Sequence, residues 1–427
     1  MIKEQKERLF SKDYLLIIFS SLGPALTNTF FITALVLYMP HIGALQIHNG
    51  LFMALFALSA LIMRPIAGRL TEKFGRVKFL IIGAIICGVC AALFGIAGGM
   101  IPLLLIIRSI HGLGFGIHST CAGAVAADVV PKSRLAEGIG YFSLHITFAQ
   151  AVGPIIALAI IRGDAGTPRD FRTLFFTAAA LCCMSLIVNS CITYERRRRK
   201  QAKMQTVETL KSSELPKTPS SELEPPSSEP LPKTFLGFEY AAFAPMSVII
   251  LLYFAMVGGM TFLAPLAMAS GMQSPWPYFL VSAAGVFVSR LILGTIADRR
   301  GYDIVIIPWI AVMTVCMALL PFVRSIPALI AIAFPIGFAQ GAVIPTFNAM
   351  LFKRCSPQRR GSASGAFFAA IDIGFVVAPL TLSALVDAFG DFRYVFWAAS
   401  IFVAISLVLY LLIASDKKFY AKRGVDG

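Results

Sequence analysis

The sequence predicts an all-α membrane protein of twelve transmembrane helices arranged as two pseudo-symmetric six-helix bundles. Three observations carry that prediction. The chain has 427 residues, 57% of them hydrophobic and only 14% charged, whereas a soluble domain carries roughly 25% charged residues. Apolar runs of about 20 residues, each enough to cross roughly 30 Å of hydrocarbon, recur along most of its length. Finally, a short charged turn occurs twice: Arg64, Gly68, Glu72 and Gly75 reappear as Arg290, Gly294, Asp298 and Gly301, at a constant interval of 226 residues. A pattern copied at fixed spacing marks two units of common design.

The spans follow in order. The first six fall near 14–38, 50–70, 77–97, 101–127, 135–161 and 172–194, and the second six near 243–267, 276–297, 303–323, 326–350, 361–386 and 393–414. They read as helices because barrel strands would alternate polarity at every residue, and these runs do not. The charged N-terminus precedes an apolar run too long for a signal peptide, so that run is expected to be a retained first span. Residues 1–194 form the first bundle and 235–427 the second. Between them, 195–234 opens with Glu195 and a run of arginines and continues rich in Pro, Ser, Glu and Lys. Such a tract has too little apolar surface to offset its ordering entropy, and a disordered tether is expected. The repeat reaches further still. Pro131 and Arg134 match Pro357 and Arg360 at the same interval, and Pro40, Gly112 and Gly116 match Pro265, Gly337 and Gly341 at one residue less.

A net charge of +15 would point to nucleic acid in a soluble protein. Here the cations alternate. The N-terminus, 69–78, Lys132/Arg134, Arg196 to Lys200, Arg299/Arg300, 353–360 and the tail from Lys417 are basic, while 39–49, 98–100 and 268–275 hold no Lys or Arg; 162–171, 324–325 and 387–392 with its flanks are exceptions, holding a few charges of mixed sign. The positive-inside rule places both termini and the linker in the cytoplasm, as in a multi-pass protein of the plasma (inner) membrane. The charge is then a topology signal and an attraction to anionic lipid, with no nucleic-acid partner. Seven of eight cysteines lie in apolar runs. Cys87 and Cys90 have CxxC spacing but no second pair, so packing rather than a metal or redox site is expected. No cofactor is implied.

Three stretches carry a family resemblance. GRLTEKFGRVKFL (68–80) is similar to the signature turn after helix 2 of the major facilitator superfamily, with Gly68, Leu70, Gly75, Arg76 and Leu80 in register and Glu72 for the usual Asp. LLLIIRSIHGLGFG (103–116) resembles that family's helix 4 motif through Arg108, Gly112 and Gly114, with His111 where Gln is usual. AQAVGPIIAL (149–158) matches the helix 5 antiporter motif only at Gly153 and Pro154. Within the family, MRPIAGRL and FFAAIDIGFVVAP look most like bacterial drug or sugar efflux permeases of the arabinose-efflux type. The resemblance implies the family's two-bundle fold and transport by alternating access. It also implies that Glu72, Arg76 and Asp128, with Asp298 as the repeat of the acid, form a cytoplasmic charge cluster that locks the halves together. In this cluster Gly68 is expected to allow close helix approach and Gly75 a tight turn.

Ionisable groups inside a bilayer are costly and ask for a reason. Asp372 lies about 16 Å into its span at 1.5 Å per residue, near the midplane, which suits a carboxyl that binds and releases a proton in each cycle. Arg108 is a candidate partner for it or for a substrate carboxylate. His145 stands at the repeat position beside Asp372, so a titration coupled across the halves is a further expectation. Arg64 and Arg290, one turn before the charged turns, read as snorkelling gate residues. Asn28, His111, Thr261 and Gln340 are candidate cavity residues, because the family lines its cavity with helices 1, 4, 7 and 10. Much Met and Phe nearby favours an amphipathic cargo over a free sugar.

The expectation is a monomeric secondary transporter, a proton-coupled exporter of small organic compounds working as an antiporter. A proton symporter that imports a small metabolite is the alternative, and a non-transporting receptor or scaffold the alternative of another class. No nucleotide-binding loop, HExxH or GxSxG pattern is present, so an enzyme is not expected and energy would come from an ion gradient.

Overall fold

The computed structural model describes residues 9–131, 135–162, 166–195, 234–235, 238–272, 275–355 and 360–415. Apart from its end residues, the 195–234 tether expected to be disordered lies outside the described residues. The first half contributes α1 (Lys12–His41), α2 (Gln46–Phe74), α3 (Arg76–Ile96), α4 (Ile101–Val129), α5 (Leu135–Ile161) and α6 (Pro168–Ser190). The second contributes α7 (Tyr240–Ala269), α8 (Trp276–Arg300), α9 (Asp303–Leu319), α10 (Ile326–Arg354), α11 (Arg360–Phe389) and α12 (Arg393–Leu409). Over their described residues, 11 helices are long and apolar enough to cross a membrane; α8, 25 residues long, is the twelfth of the series. A two-residue hairpin, Thr234–Phe235 on Phe238–Glu239, leads into α7.

Local chemistry sets the ends. Ser11 accepts a hydrogen bond from the Tyr14 amide to start α1, and Thr167 with Asp170 makes a capping box at α6. Gly75, at φ +99°, closes α2 and opens α3 with no intervening loop, a backbone angle that a residue with a Cβ resists. The tight turn expected of Gly75 is present. The close approach expected of Gly68 is not: a Cβ built there meets nothing within 4 Å.

Outward faces carry large apolar side chains such as Ile62, Val89, Ile106, Ile187, Phe287 and Ile401, all exposed. In lipid that surface matches its solvent, so association must come from close packing of small residues. The repeated glycines do this in both halves. A Cβ on Gly116 would lie 2.8 Å from the Ala60 carbonyl oxygen, pressing α4 on α2, and one on Gly341 would lie 2.6 Å from the Val286 carbonyl oxygen, pressing α10 on α8. The sequence interval thus corresponds to equivalent helix contacts. The extended packing between halves is α2 on α11 and α5 on α8. In α7 a π-helical turn at Gly258–Phe262 lies against α1; such turns re-aim side chains and recur at functional sites.

Candidate functional site

The site is built around an ion pair between the halves. Asp372, midway along α11, is 5% exposed. Arg64 of α2 donates from Nη2 to Asp372 Oδ1 at 3.1 Å. Its Nε stands 2.9 Å from Oδ2, without the alignment of a hydrogen bond. The Phe368 ring lies 5.5 Å from the guanidinium carbon. Tyr253 of α7 is within electrostatic reach of both charges and packs on Phe375 at 5.0 Å between ring centroids. The pair therefore occupies the α2–α11 seam, walled by aromatic rings.

Arg108 does not reach Asp372. It is 1% exposed within the first half, with Nη2 donating to Asn28 Oδ1 at 3.2 Å and Nη1 2.8 Å from His111 Nδ1. Phe31 and Phe56 sandwich its guanidinium at 4.7 and 4.0 Å, a cation–π arrangement inside an aromatic cluster. Nor does the structure join His145 to Asp372. The His145 ring bonds to the Phe142 carbonyl of its own helix at 2.5 Å and lies in electrostatic reach of His118 on α4.

Of the four expected cavity residues, only Gln340 lines a pocket between the halves. That pocket is walled by Thr147, Gln150 and Ala151 of α5, Gly259 and Met260 of α7, Tyr278, Phe279, Ser282, Ala283 and Val286 of α8, and Gln340 of α10. Its polar groups are hydroxyls and carboxamides, with no charge in the lining. His111 is fully buried in the Arg108 cluster, where Asn28 also points. Thr261 seals the seam instead, donating to Met53 Sδ at 3.7 Å.

At the basic face, where the charged turns lie, Arg76 pairs with Asp128 at 2.7 Å and donates to the Ala124 carbonyl at 2.7 Å. Both contacts brace α3 against α4 within one half. The side chains of Glu72 and Asp298 lie outside the described residues. Glu195 accepts from the Arg76 and Val77 amides, an N-terminal cap for α3 that its place at the head of the arginine run gave no reason to expect. At the opposite face the halves are joined where α2 begins and α11 ends, through Asp387.

Long apolar helices in two bundles, with an ion pair across their seam, have the architecture of a multi-pass membrane carrier. The chain belongs to the major facilitator superfamily, whose description matches residues 17–322 and again 279–426. It is a secondary-active transporter of small organic molecules, in a family of carriers rather than enzymes. An uncharacterized MFS-type transporter of Methanocaldococcus jannaschii is 22% identical over 381 residues, 89% of this chain and 92% of that protein. The quinolone resistance protein NorA of Staphylococcus aureus is 28% identical over 177 residues, 42% of this chain and 44% of that one. Among solved structures, a D-xylose-proton symporter superposes with TM-score 0.72 at 14% identity, covering 95% of this chain and 98% of its own. The nucleoside transporter NupG does so with TM-score 0.68 at 13% identity, covering 94% and 100%. At such identities these likenesses show the fold.

Proposed function

We propose that the chain is a proton symporter for small uncharged or amphipathic organic molecules, in the plasma membrane with its basic face and both termini cytoplasmic. The Arg64–Asp372 pair carries this reading. With Asp372 ionised, the two charges neutralise each other and tie α2 to α11. A proton on Asp372 removes the attraction, and the Arg64 side chain, 23% exposed, can turn toward water. Protonation then alters the balance between states that hold or break the seam. The cargo site forms around the uncharged lining of Gln150, Gln340, Thr147, Ser282 and Tyr278, which offers hydrogen bonds but no counter-ion; the cleft, about 40 Å³ in this conformation, must widen as the halves part to admit an organic molecule. Arg108 and His145 act through the first half's packing.

Cotransport, rather than the exchange expected from the resemblance, is supported by the fold shared with a proton symporter and by a fifth helix keeping only Gly153 and Pro154 of the antiporter motif. Efflux in exchange for protons is the second reading, favoured by the match to a quinolone resistance protein. Glu72, with Asp298 as its repeat, would lock the cytoplasmic mouth in the outward-open state. Glu72→Gln should then raise cytoplasmic-side labelling, and unchanged accessibility removes the lock.

The deciding experiment is a substrate panel in oriented proteoliposomes under pH gradients of both polarities. Accumulation inside when the outside is acid supports symport, and extrusion under the same gradient supports exchange. Asp372→Asn should abolish uphill movement in either case. A variant that still concentrates cargo as well as the parent ends the assignment of Asp372.

A further inference from the structure

We infer that Asp387 is the latch of the outer face, a positioning residue of the transport cycle whose carboxylate caps the N-terminus of α2 across the two halves. The inference rests on the transporter class alone, and needs neither proton coupling nor a direction of transport.

A helix N-terminus leaves amide groups without intrahelical partners and carries a partial positive charge. In α2 the His48 amide reaches the Leu45 carbonyl, but no local side chain answers the first two: Leu45 is the N-cap, makes no side-chain capping bond, and no acid stands in the first turn. The acceptor comes from the other half. The Gln46 amide donates to Asp387 Oδ1 at 2.8 Å and the Ile47 amide to Oδ2 at 2.5 Å. Both carboxylate oxygens are thus used by consecutive amides, a charge-assisted, two-pronged contact.

The latch is anchored on each side. Gln46 Nε2 donates to the Val36 carbonyl of α1 at 3.0 Å, tying the start of α2 to its own bundle. One turn further, a Cβ on Gly50 would lie 2.8 Å from the Pro379 carbonyl oxygen and 3.0 Å from Leu380 Cα, so α2 meets α11 backbone to backbone. Nearby, Thr261 reaches Met53 across the same seam. Opening the outer face must part these surfaces, and the two amides then exchange the carboxylate for water. The contact is made in one state only, so it biases the equilibrium toward that state.

The sequence around it repeats the charged turn at the opposite mouth. Glu72-Lys73-Phe74-Gly75 ends α2, and Asp387-Ala388-Phe389-Gly390 ends α11, with Gly75 at φ +99° and Gly390 at φ +67°. Because α2 and α11 run in opposite directions, each acid stands at the face where the partner helix begins. One helix pair therefore carries an acid-x-Phe-Gly terminus at each mouth.

The test reads accessibility without cargo or a pH gradient. In the full chain, the two exposed cysteines, Cys183 and Cys191, are changed to Ser, and Met53→Cys, buried under the latch, reports the seam. A membrane-impermeant maleimide is applied to the outer side of sealed vesicles. Asp387→Ala is expected to speed labelling about tenfold, Asp387→Asn less, and Asp387→Glu to restore most of the protection. Gln46→Pro deletes the Gln46 amide donor without touching the acid; because it also loses the side-chain bond to the Val36 carbonyl, Gln46→Ala, which loses that bond alone, is its reference. Proline is tolerated at the first helical position, and Leu45 already has the extended backbone that precedes a proline (φ −74°, ψ 159°). Relative to Gln46→Ala, Gln46→Pro should speed labelling too, and in the Asp387→Ala background the two Gln46 variants should label alike. If Asp387→Ala folds poorly, Asp387→Asn and Gln46→Pro supply the reading. Parent-rate labelling in the folded variants, or two effects that multiply as independent changes, overturns the latch.

Discussion

Arg64 and Asp372 stand 308 residues apart in the chain, yet meet with 2.9 Å between Nε and Oδ2. Each accounts for the other. A lone carboxylate midway along α11 or a lone guanidinium on α2 would be costly in hydrocarbon, and pairing across the seam lowers both costs. Under the proposed coupling, the pair also makes the seam sensitive to one proton.

Breaking that pair from one side should be worse than removing it whole. Stripping one partner from a buried ion pair costs about 3–5 kcal/mol. Because Arg64 is 23% exposed and can reach water, about 1–3 kcal/mol is expected for Asp372→Ala. The Arg64→Leu/Asp372→Leu double variant should recover most of that stability while losing proton-driven accumulation. Thermal unfolding in detergent and flux in proteoliposomes measure the two properties separately.

Arg108 gives the opposite expectation. Lysine cannot fill the flat slot between Phe31 and Phe56 or reach Asn28 with the same geometry, so Arg108→Lys should lose about 1–3 kcal/mol of stability. The pH profile of transport should keep its midpoint. A displaced midpoint with little loss of stability would instead place Arg108 on the proton path.

The uncharged pocket predicts a binding effect. Gln150→Leu and Gln340→Leu each remove hydrogen-bonding capacity toward cargo from one half, and each should raise KM about tenfold with kcat nearly unchanged. Unaltered KM in both variants would move the cargo site elsewhere along the seam.

Symmetry can be tested through packing. Gly116→Ala and Gly341→Ala place a methyl group 2.8 Å and 2.6 Å from backbone oxygens of the neighbouring helix, and each should destabilise by about 1–3 kcal/mol. Gly68→Ala, which meets open space, should cost far less. Comparable melting temperatures for all three would contradict the packing described.

Much of the architecture was legible in advance. The helix ends fall within a few residues of the apolar runs, and the paired glycines Gly112/Gly337 and Gly116/Gly341 do pack equivalent helices. Asp372 stood out because a carboxylate in an apolar run is conspicuous. Its partner did not, since Arg64 looks like a snorkelling residue until α11 is placed beside α2. His145 misled through repeat arithmetic: equivalent positions in two copies share an environment type, not a contact. Asp387 left a readable trace, the acid-x-Phe-Gly ending it shares with Glu72; it is an exposed residue, and nothing in the sequence named the two α2 amides it meets.

The sequence by itself determined the number of spans, the two copies and the alternation of basic connections, because hydropathy and charge are local sums over windows about 20 residues long. Only the tertiary structure decided which charges meet and which polar groups face the seam. Those depend on how each helix is rotated about its axis and pressed on its neighbours. One residue turns a side chain by about 100° around a helix, so a face cannot be read from composition, and a contact requires both faces at once.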